Sequence, residues 1–235
     1  PRLCRAENPQ KGRLREFFQW NIDIIGPATA LSDAQCVFTA VDALREFGLG
    51  KDEVVVLYSS RTLATEAVRA SGVEPANVDG VLSAIDKRNK ADPDDWNRLF
   101  AKAVPQKDSR KGILKYLGAA DVLSGPASAK AVAEALGLAP AGAIVSAVEQ
   151  LREFQKSLES FGVGDWCRYD PSIVRGLAYY TGIVYEVFDA ARRLRAVAGG
   201  GRYDNLLGAL GGPDVPATGF GMGDAVLEIL LGQKG

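Results

Sequence analysis

The chain has 235 residues, 28 Lys and Arg against 29 Asp and Glu, a net charge of −1, and 47% hydrophobic and 24% charged residues. That length accommodates one large domain or a core with a smaller insertion, the near-neutral charge disfavours a generic electrostatic nucleic-acid binder, and no apolar run approaches the ~18–20 residues of a membrane span. Histidine is absent, which excludes Ser-His and Cys-His nucleophiles and any imidazole base, and leaves chemistry to Arg, Lys, Tyr and carboxylates.

The three cysteines, Cys4, Cys36 and Cys167, are widely spaced. They offer neither a disulfide framework nor a zinc site, and imply a reducing, cytoplasmic setting. The start, PRLCRAENPQKG, lacks a signal-peptide pattern and an initiator methionine, so the chain is expected to begin mid-protein.

The opening residues predict a β-hairpin: a strand running to Glu7, a basic loop NPQKGRL of turn formers, and a second strand EFFQWNIDIIG. Alternation with period two puts Phe18, Trp20, Ile22 and Ile24 on a face expected to be core. Arg15, Phe17, Gln19, Asn21 and Asp23 fall on the other, and Arg5 and Glu7 share that polar face from the first strand. Ser32 and Asp33 are expected to cap a helix whose apolar positions are Ala34, Val37, Phe38, Val41 and Leu44, ending near Gly48. DEVVVLYSS reads as a buried strand and RTLATEAVRASG as a helix stopped by Gly72.

Residues 1–75 thus form a first part of the core, and 76–140 read as an inserted subdomain of short amphipathic helices broken by Gly and Pro. Residues 141–235 form the second part. It opens with a helix striped by Ile144, Val148, Leu151, Phe154, Leu158 and Phe161, then returns to strands CRYDPSIV, IVYEVFD, AVAGGGR and ATGFGMG. The predicted class is α+β around an antiparallel sheet flanked by helices.

Four constellations are candidates to carry chemistry. On the hairpin face, Arg suits phosphate, an aromatic suits a purine face, and a carboxylate suits an exocyclic amine; Gln19 and Asp23 suit the ammonium or ring N–H groups of a small ligand. A merely solvated sheet face accounts for the same pattern. In the loop Arg175-Gly176-Leu177-Ala178-Tyr179-Tyr180-Thr181-Gly182, two tyrosines can wall a pocket or simply pack in a core. Gly199-Gly200-Gly201 permits close backbone approach. Gly219, Gly221 and Gly223 leave one strand face bare for a planar ligand or for a tight helix contact. GFGMG lacks the GxGxxG spacing of a dinucleotide fold. Arg192, Arg193 and Arg195, like Lys87, Arg88 and Lys90, read as solvated turns before they read as nucleic-acid contacts.

In order and content these segments resemble one family. RAENPQKGRLREFFQ resembles motif 2 of class II aminoacyl-tRNA synthetases in its histidine-specific form. VRGLAYYTGIVYE resembles the histidyl enzymes' signature loop, AGGGRYDNLL the glycine-rich segment that follows, and GFGMGDAVLEILL occupies the place of motif 3. The resemblance implies a two-step ligase that forms histidyl-adenylate from histidine and ATP and passes histidine to tRNA(His), with Mg2+ on the β,γ-phosphates and no protein-held metal. It implies that Arg5 and Arg175 are catalytic at the α-phosphate. ATP is then held by Arg5, Glu7, Arg13, Phe17, Gly221 and Gly223, and histidine by Gln19, Asp23, Arg175, Tyr179, Tyr180 and Gly200. A cytoplasmic homodimer without membrane contact is implied for the complete protein, whose motif 1 and anticodon-binding domain are expected beyond these residues.

Two departures stand out. Gly223-Asp224-Ala225-Val226 replaces the Gly-x-Glu-Arg that usually ends motif 3, and Ala178 replaces the usual acid of the signature loop. Loss of the γ-phosphate arginine costs roughly 1.5–3 kcal/mol, so Arg13, Arg202 or another arginine is expected to compensate, with Asp224 assisting at a metal. The same departures leave open a histidine-binding regulatory subunit of ATP phosphoribosyltransferase, or a sensor of uncharged tRNA, as rival functions.

Overall fold

The computed structural model describes residues 1–4, 6, 14–139 and 142–234. A mixed seven-stranded sheet runs in the order β1-β2-β7-β6-β5-β3-β4. Its strands are β1 (Arg2–Cys4), β2 (Glu16–Ile25), β3 (Val54–Ser60), β4 (Cys167–Tyr169), β5 (Ile183–Asp189), β6 (Ala198–Arg202) and β7 (Ala217–Gly223). The pairs β1–β2, β2–β7 and β6–β7 are antiparallel. Helices flank the sheet, so the α+β class is as expected.

The chain forms two compact units, one of Pro1–Leu57, Phe154–Arg168 and Tyr185–Gly235, the other of Tyr58–Glu153 and Tyr169–Val184. In the first, α1 (Ala30–Glu46) follows β2, and α10 (Asp224–Gly232) continues directly from β7. Ala34, Val37, Ala40, Val41 and Leu44 along α1 are buried, the spacing of an amphipathic helix. The helix starts earlier than Ser32 and Asp33 predict. Thr29, in extended conformation, occupies the N-cap, and both predicted cap residues are buried in the first turn. The reason is tertiary: Asp33 faces a buried arginine, an attraction that local capping preference does not encode. The end is as predicted, with Gly48 at φ +76° donating to Arg45 O and Leu49 donating to Leu44 O, a left-handed turn that closes the last carbonyls.

The second unit is mainly helical: α2 (Arg61–Ala70), α3 (Val78–Asp86), α4 (Pro93–Ala103), α5 (Lys107–Leu117), α6 (Ala120–Ser124), α7 (Ala129–Leu136) and the first part of α8 (Gly142–Ser160). A short α9 (Leu206–Ala209) belongs to the first unit. Leu82, Ile85, Ile113, Leu123, Val148 and Leu151 build the second unit's core. Arg152 of α8 pins the end of α6 by donating to the carbonyls of Val122, Leu123 and Ala127. Trp96 Nε1 donates to Ala84 O at 2.9 Å, so α4 buries its large aromatic against α3 without an orphaned donor.

The alternation in β2 is real, but its burial differs from expectation. Phe18 is 62% and Trp20 42% exposed, while Ile22 and Ile24 are half-buried. The apolar face meets α1 farther along the sheet, where Cys36 Sγ reaches Thr218 O at 3.7 Å. Periodicity reports which face is apolar, not which part of it another element covers.

Candidate active site

In the first unit, register builds a floor. Gln19, Asn21 and Asp23 of β2 lie directly opposite Gly223, Gly221 and Gly219 of β7, and Gly221 and Gly219 lie opposite Gly199 and Gly201 of β6. Directly paired residues share a face. One face therefore carries a polar row on β2 beside five glycines of β7 and β6. Phe17 extends the row, its ring edge 3.9 Å from where a Cβ on Gly223 would stand.

The polar side chains lean over the bare backbone. A Cβ on Gly221 would collide with Gln19 Nε2 and stand 3.0 Å from Asn21 Oδ1. One on Gly219 would collide with Asp23 Oδ1 and stand 2.8 Å from the Tyr203 hydroxyl. Gln19 Nε2 donates to Asn21 Oδ1, and the Tyr203 hydroxyl donates to Asp23 Oδ1. Phe17, Gln19 and Asp23 thus share one face, as the alternation in β2 predicts, and Gly221 and Gly223 lie beside them. Gly200 does not join them. It pairs with Phe220 on the opposite face, where a Cβ would meet Phe220 Cβ at 2.7 Å and its Cα at 2.8 Å. Arg5, Glu7 and Arg13 lie outside the described residues.

Behind the floor, Arg202 is 2% exposed. Its Nε donates to Asp33 Oδ2 at 3.0 Å, Nη1 to Asp204 Oδ1 at 3.0 Å and to Pro27 O, and Nη2 to Thr29 O at 2.8 Å. Burial pushes the Asp33 carboxyl up to about 6 against the opposing pull of Arg202. Arg202 is paired with Thr218, one residue out of phase with the glycine strip. It is committed to α1, so the expectation that it replaces the motif 3 arginine is corrected. Val226, at that arginine's position, is a buried apolar residue of α10, and Asp224 is exposed at the helix start.

In the second unit, the loop from Arg175 to Gly182 joins Val174 to β5. Arg175 has φ +52°, a left-handed conformation unfavourable for a residue with a Cβ and frequent at functional sites. Its guanidinium carbon lies 5.6 Å from the Tyr180 ring centre, and the Tyr179 and Tyr180 rings are 4.6 Å apart. Tyr180 is buried and Tyr179 is exposed, the divergent pair expected of adjacent tyrosines on a turn. A small cavity beside this turn is lined by Arg61, Asp79, Ser83, Arg175, Gly176 and Ala178.

Sequence reasoning left two contributors unassigned. Tyr203 reaches Asp23 across 180 residues of chain, and no local period connects them. Arg61 enters the Arg175 turn from the start of α2. Among the described residues no cluster of three or more Cys, Asp or Glu is arranged to hold a metal ion. None of the described helices is long and apolar enough to cross a membrane.

Solved structures share this architecture. Histidyl-tRNA synthetase from Nostoc sp. superposes with a TM-score of 0.78 at 23% identity, over 94% of this chain and 52% of that one. A Bacillus halodurans protein described as an ATP phosphoribosyltransferase regulatory subunit/histidyl-tRNA synthetase gives 0.72 at 23% identity, over 94% and 54%. The fold is that of the class II aminoacyl-tRNA synthetases.

Sequence similarity is more specific. A histidyl-tRNA synthetase family profile matches residues 2–224. The chloroplastic/mitochondrial histidine–tRNA ligase of Arabidopsis thaliana is 36% identical over 98% of this chain and 45% of its own length. The histidine–tRNA ligase of Thermoplasma volcanium is 36% identical over 100% and 52%. The chain belongs to the histidyl-tRNA synthetase family. It spans about half the length of the curated relatives it matches.

Proposed function

We propose that, within its complete protein, this chain is the catalytic core of a histidine–tRNA ligase. The observation that supports this most is the floor itself: a row of Phe17, Gln19, Asn21 and Asp23 beside a strip of bare glycine backbone. A planar base needs flat, unobstructed backbone with an aromatic at its edge, which Phe17, Gly221 and Gly223 supply. A small cationic ligand needs an anionic and amide rim, which Asp23 and Gln19 supply.

In this reading Asp23 and Gln19 hold the ammonium or ring N–H groups of histidine. The carboxylate of histidine, already ionised, attacks the α-phosphorus of ATP, and the bond to the β-phosphate oxygen breaks to release pyrophosphate. No general base is required, in keeping with a chain that has no histidine residue. The guanidinium of Arg175 stabilises charge gathering on the α-phosphate oxygens, Arg5 assists, Glu7 accepts the adenine amine and Arg13 takes the β,γ-phosphates. Tyr179 and Tyr180 are assigned to histidine through the family pattern, whereas Gly200 faces away from Gln19 and Asp23 and takes no part. Mg2+ is assigned to the phosphates of ATP, and no step is assigned to a metal held by protein side chains. Histidine then passes from the adenylate to tRNA(His). The complete protein is proposed to act as a cytoplasmic homodimer.

Histidine-dependent pyrophosphate–ATP exchange with the complete protein tests this, and the expected result is label entering ATP only when histidine is present. One observation favours a second reading. Val226 is buried where motif 3 carries arginine, and Arg202 is fully engaged elsewhere. Histidine binding without exchange would indicate a regulatory subunit of the ATP phosphoribosyltransferase type.

A further inference from the structure

Arg61 belongs to no motif described above, yet it is tied to the Arg175 turn by several hydrogen bonds. It is the first residue of α2, and its side chain is only 7% exposed. Nη1 donates to both Val174 O and Arg175 O, each at 2.8 Å, while Nη2 donates to Asp79 Oδ1 at 3.2 Å. Its main-chain N–H donates to Gly182 O at 2.9 Å, and the next residue, Thr62, donates through its hydroxyl to Thr181 O at 2.9 Å. Just before it, the Ser59 hydroxyl donates to Ile173 O. Ser59, Arg61 and Thr62 therefore grip both feet of the 175–182 loop.

The two carbonyls on Nη1 are the informative pair. The relative direction of the carbonyls of residues 174 and 175 is set by φ and ψ of residue 175 alone. An extended Arg175 would send them to opposite sides of the chain, whereas a left-handed one aligns them. A single donor that bonds both excludes the extended alternative and holds the left-handed state found here, which an arginine does not favour by itself.

We propose that Arg61 is a positioning residue that fixes the left-handed turn at Arg175 and so aims the Arg175 guanidinium at the reacting phosphate. The inference rests on the proposed role of Arg175 in histidine activation. Arg61 touches neither ATP nor histidine in this scheme, and acts through the loop backbone. Asp79, and the charge of Asp86, support a guanidinium that burial would otherwise disfavour.

The test is a double-mutant cycle on the complete protein, read by histidine-dependent pyrophosphate exchange and by melting temperature. Arg61→Met is expected to lower kcat by about tenfold to a hundredfold, the worth of a charge-assisted hydrogen-bonded contact, with a much smaller change in KM for ATP. Arg61→Lys should recover part of the loss, since an ammonium still reaches a carbonyl, and it carries the same cycle if the methionine variant does not fold. Combined with Arg175→Ala, either change should cost nothing beyond Arg175→Ala alone, because its effect passes through that side chain. Multiplicative losses, or a lower melting temperature with unchanged kcat, would reduce Arg61 to ordinary scaffolding and overturn the inference while leaving the proposed function intact. An Arg175→Ala enzyme that exchanges at the parental rate would overturn the role of Arg175 itself, and the inference with it.

Discussion

Replacing Arg202 with methionine tests whether this arginine is structural or catalytic. Its side chain is 3% exposed and that of Asp33 2%, and the guanidinium donates to the carboxylates of Asp33 and Asp204 and to the carbonyls of Pro27 and Thr29. Arg202→Met keeps much of the volume but strands Asp33 in a buried site, which costs about 3–5 kcal/mol for a broken buried pair. For a chain of this size that corresponds to a fall of roughly 6–20 °C in melting temperature. The loss should depend on pH. Asp33 is already raised from 3.8 to about 6 by burial, and Arg202 is the main influence pulling it back down. Without Arg202 the carboxyl rises further. An acid raised in the folded state contributes stability that is present below its unfolded value and lost as pH rises through the folded one. The variant should therefore trail the parent least near about pH 5 and most near about pH 8. Adding Asp33→Asn should restore part of the loss, because removing both charges is cheaper than leaving one. Calorimetric melts across this range, paired with ATP titration of the exchange reaction, decide the matter. An unchanged melting temperature with a raised KM for ATP would refute the structural assignment and return Arg202 to the nucleotide site.

The glycines of neighbouring strands should respond differently to the same change. Gly221→Ala presses on the movable ends of Gln19 and Asn21 and should shift stability by less than about 1 kcal/mol, yet weaken ATP binding by roughly tenfold or more by raising the floor. Gly200→Ala meets the Phe220 backbone and should cost about 1–3 kcal/mol in thermal melts. Asp23→Asn should raise KM for histidine by roughly tenfold to a hundredfold in the exchange assay without lowering the melting temperature, since Asp23 is an exposed rim residue. Alkylation of native protein at about pH 7.5, read by mass spectrometry, should spare Cys36 and Cys167, whose thiols burial pushes up to about 12, until denaturant is added.

Much of the fold was legible because its signals are local. Gly48 ends α1 where a left-handed turn closes the last carbonyls, and the stripe Ile144, Val148, Leu151, Phe154 and Leu158 is buried along α8. The polar row of β2 was legible for the same reason, since period two is a property of any strand. Its neighbours were not. Nothing within twenty residues of Asp23 announces Tyr203, and the glycines of β6 and β7 form one floor only because register sets Gly219 and Gly221 against Gly201 and Gly199.

The residues by themselves determined the element order, the polar and apolar faces of β2, the histidyl-type loop and the vacancy in motif 3, all of which depend on identity and spacing along the chain. Tertiary structure alone decided that Ser32 and Asp33 lie inside a helix, that Phe18 and Trp20 are exposed, that Arg202 is tied to Asp33, and that Arg61 grips the Arg175 turn. Each of these depends on which distant groups meet when the chain closes. A buried charge takes whatever partner that closure provides, and the distance between the two along the sequence leaves no local trace of the choice.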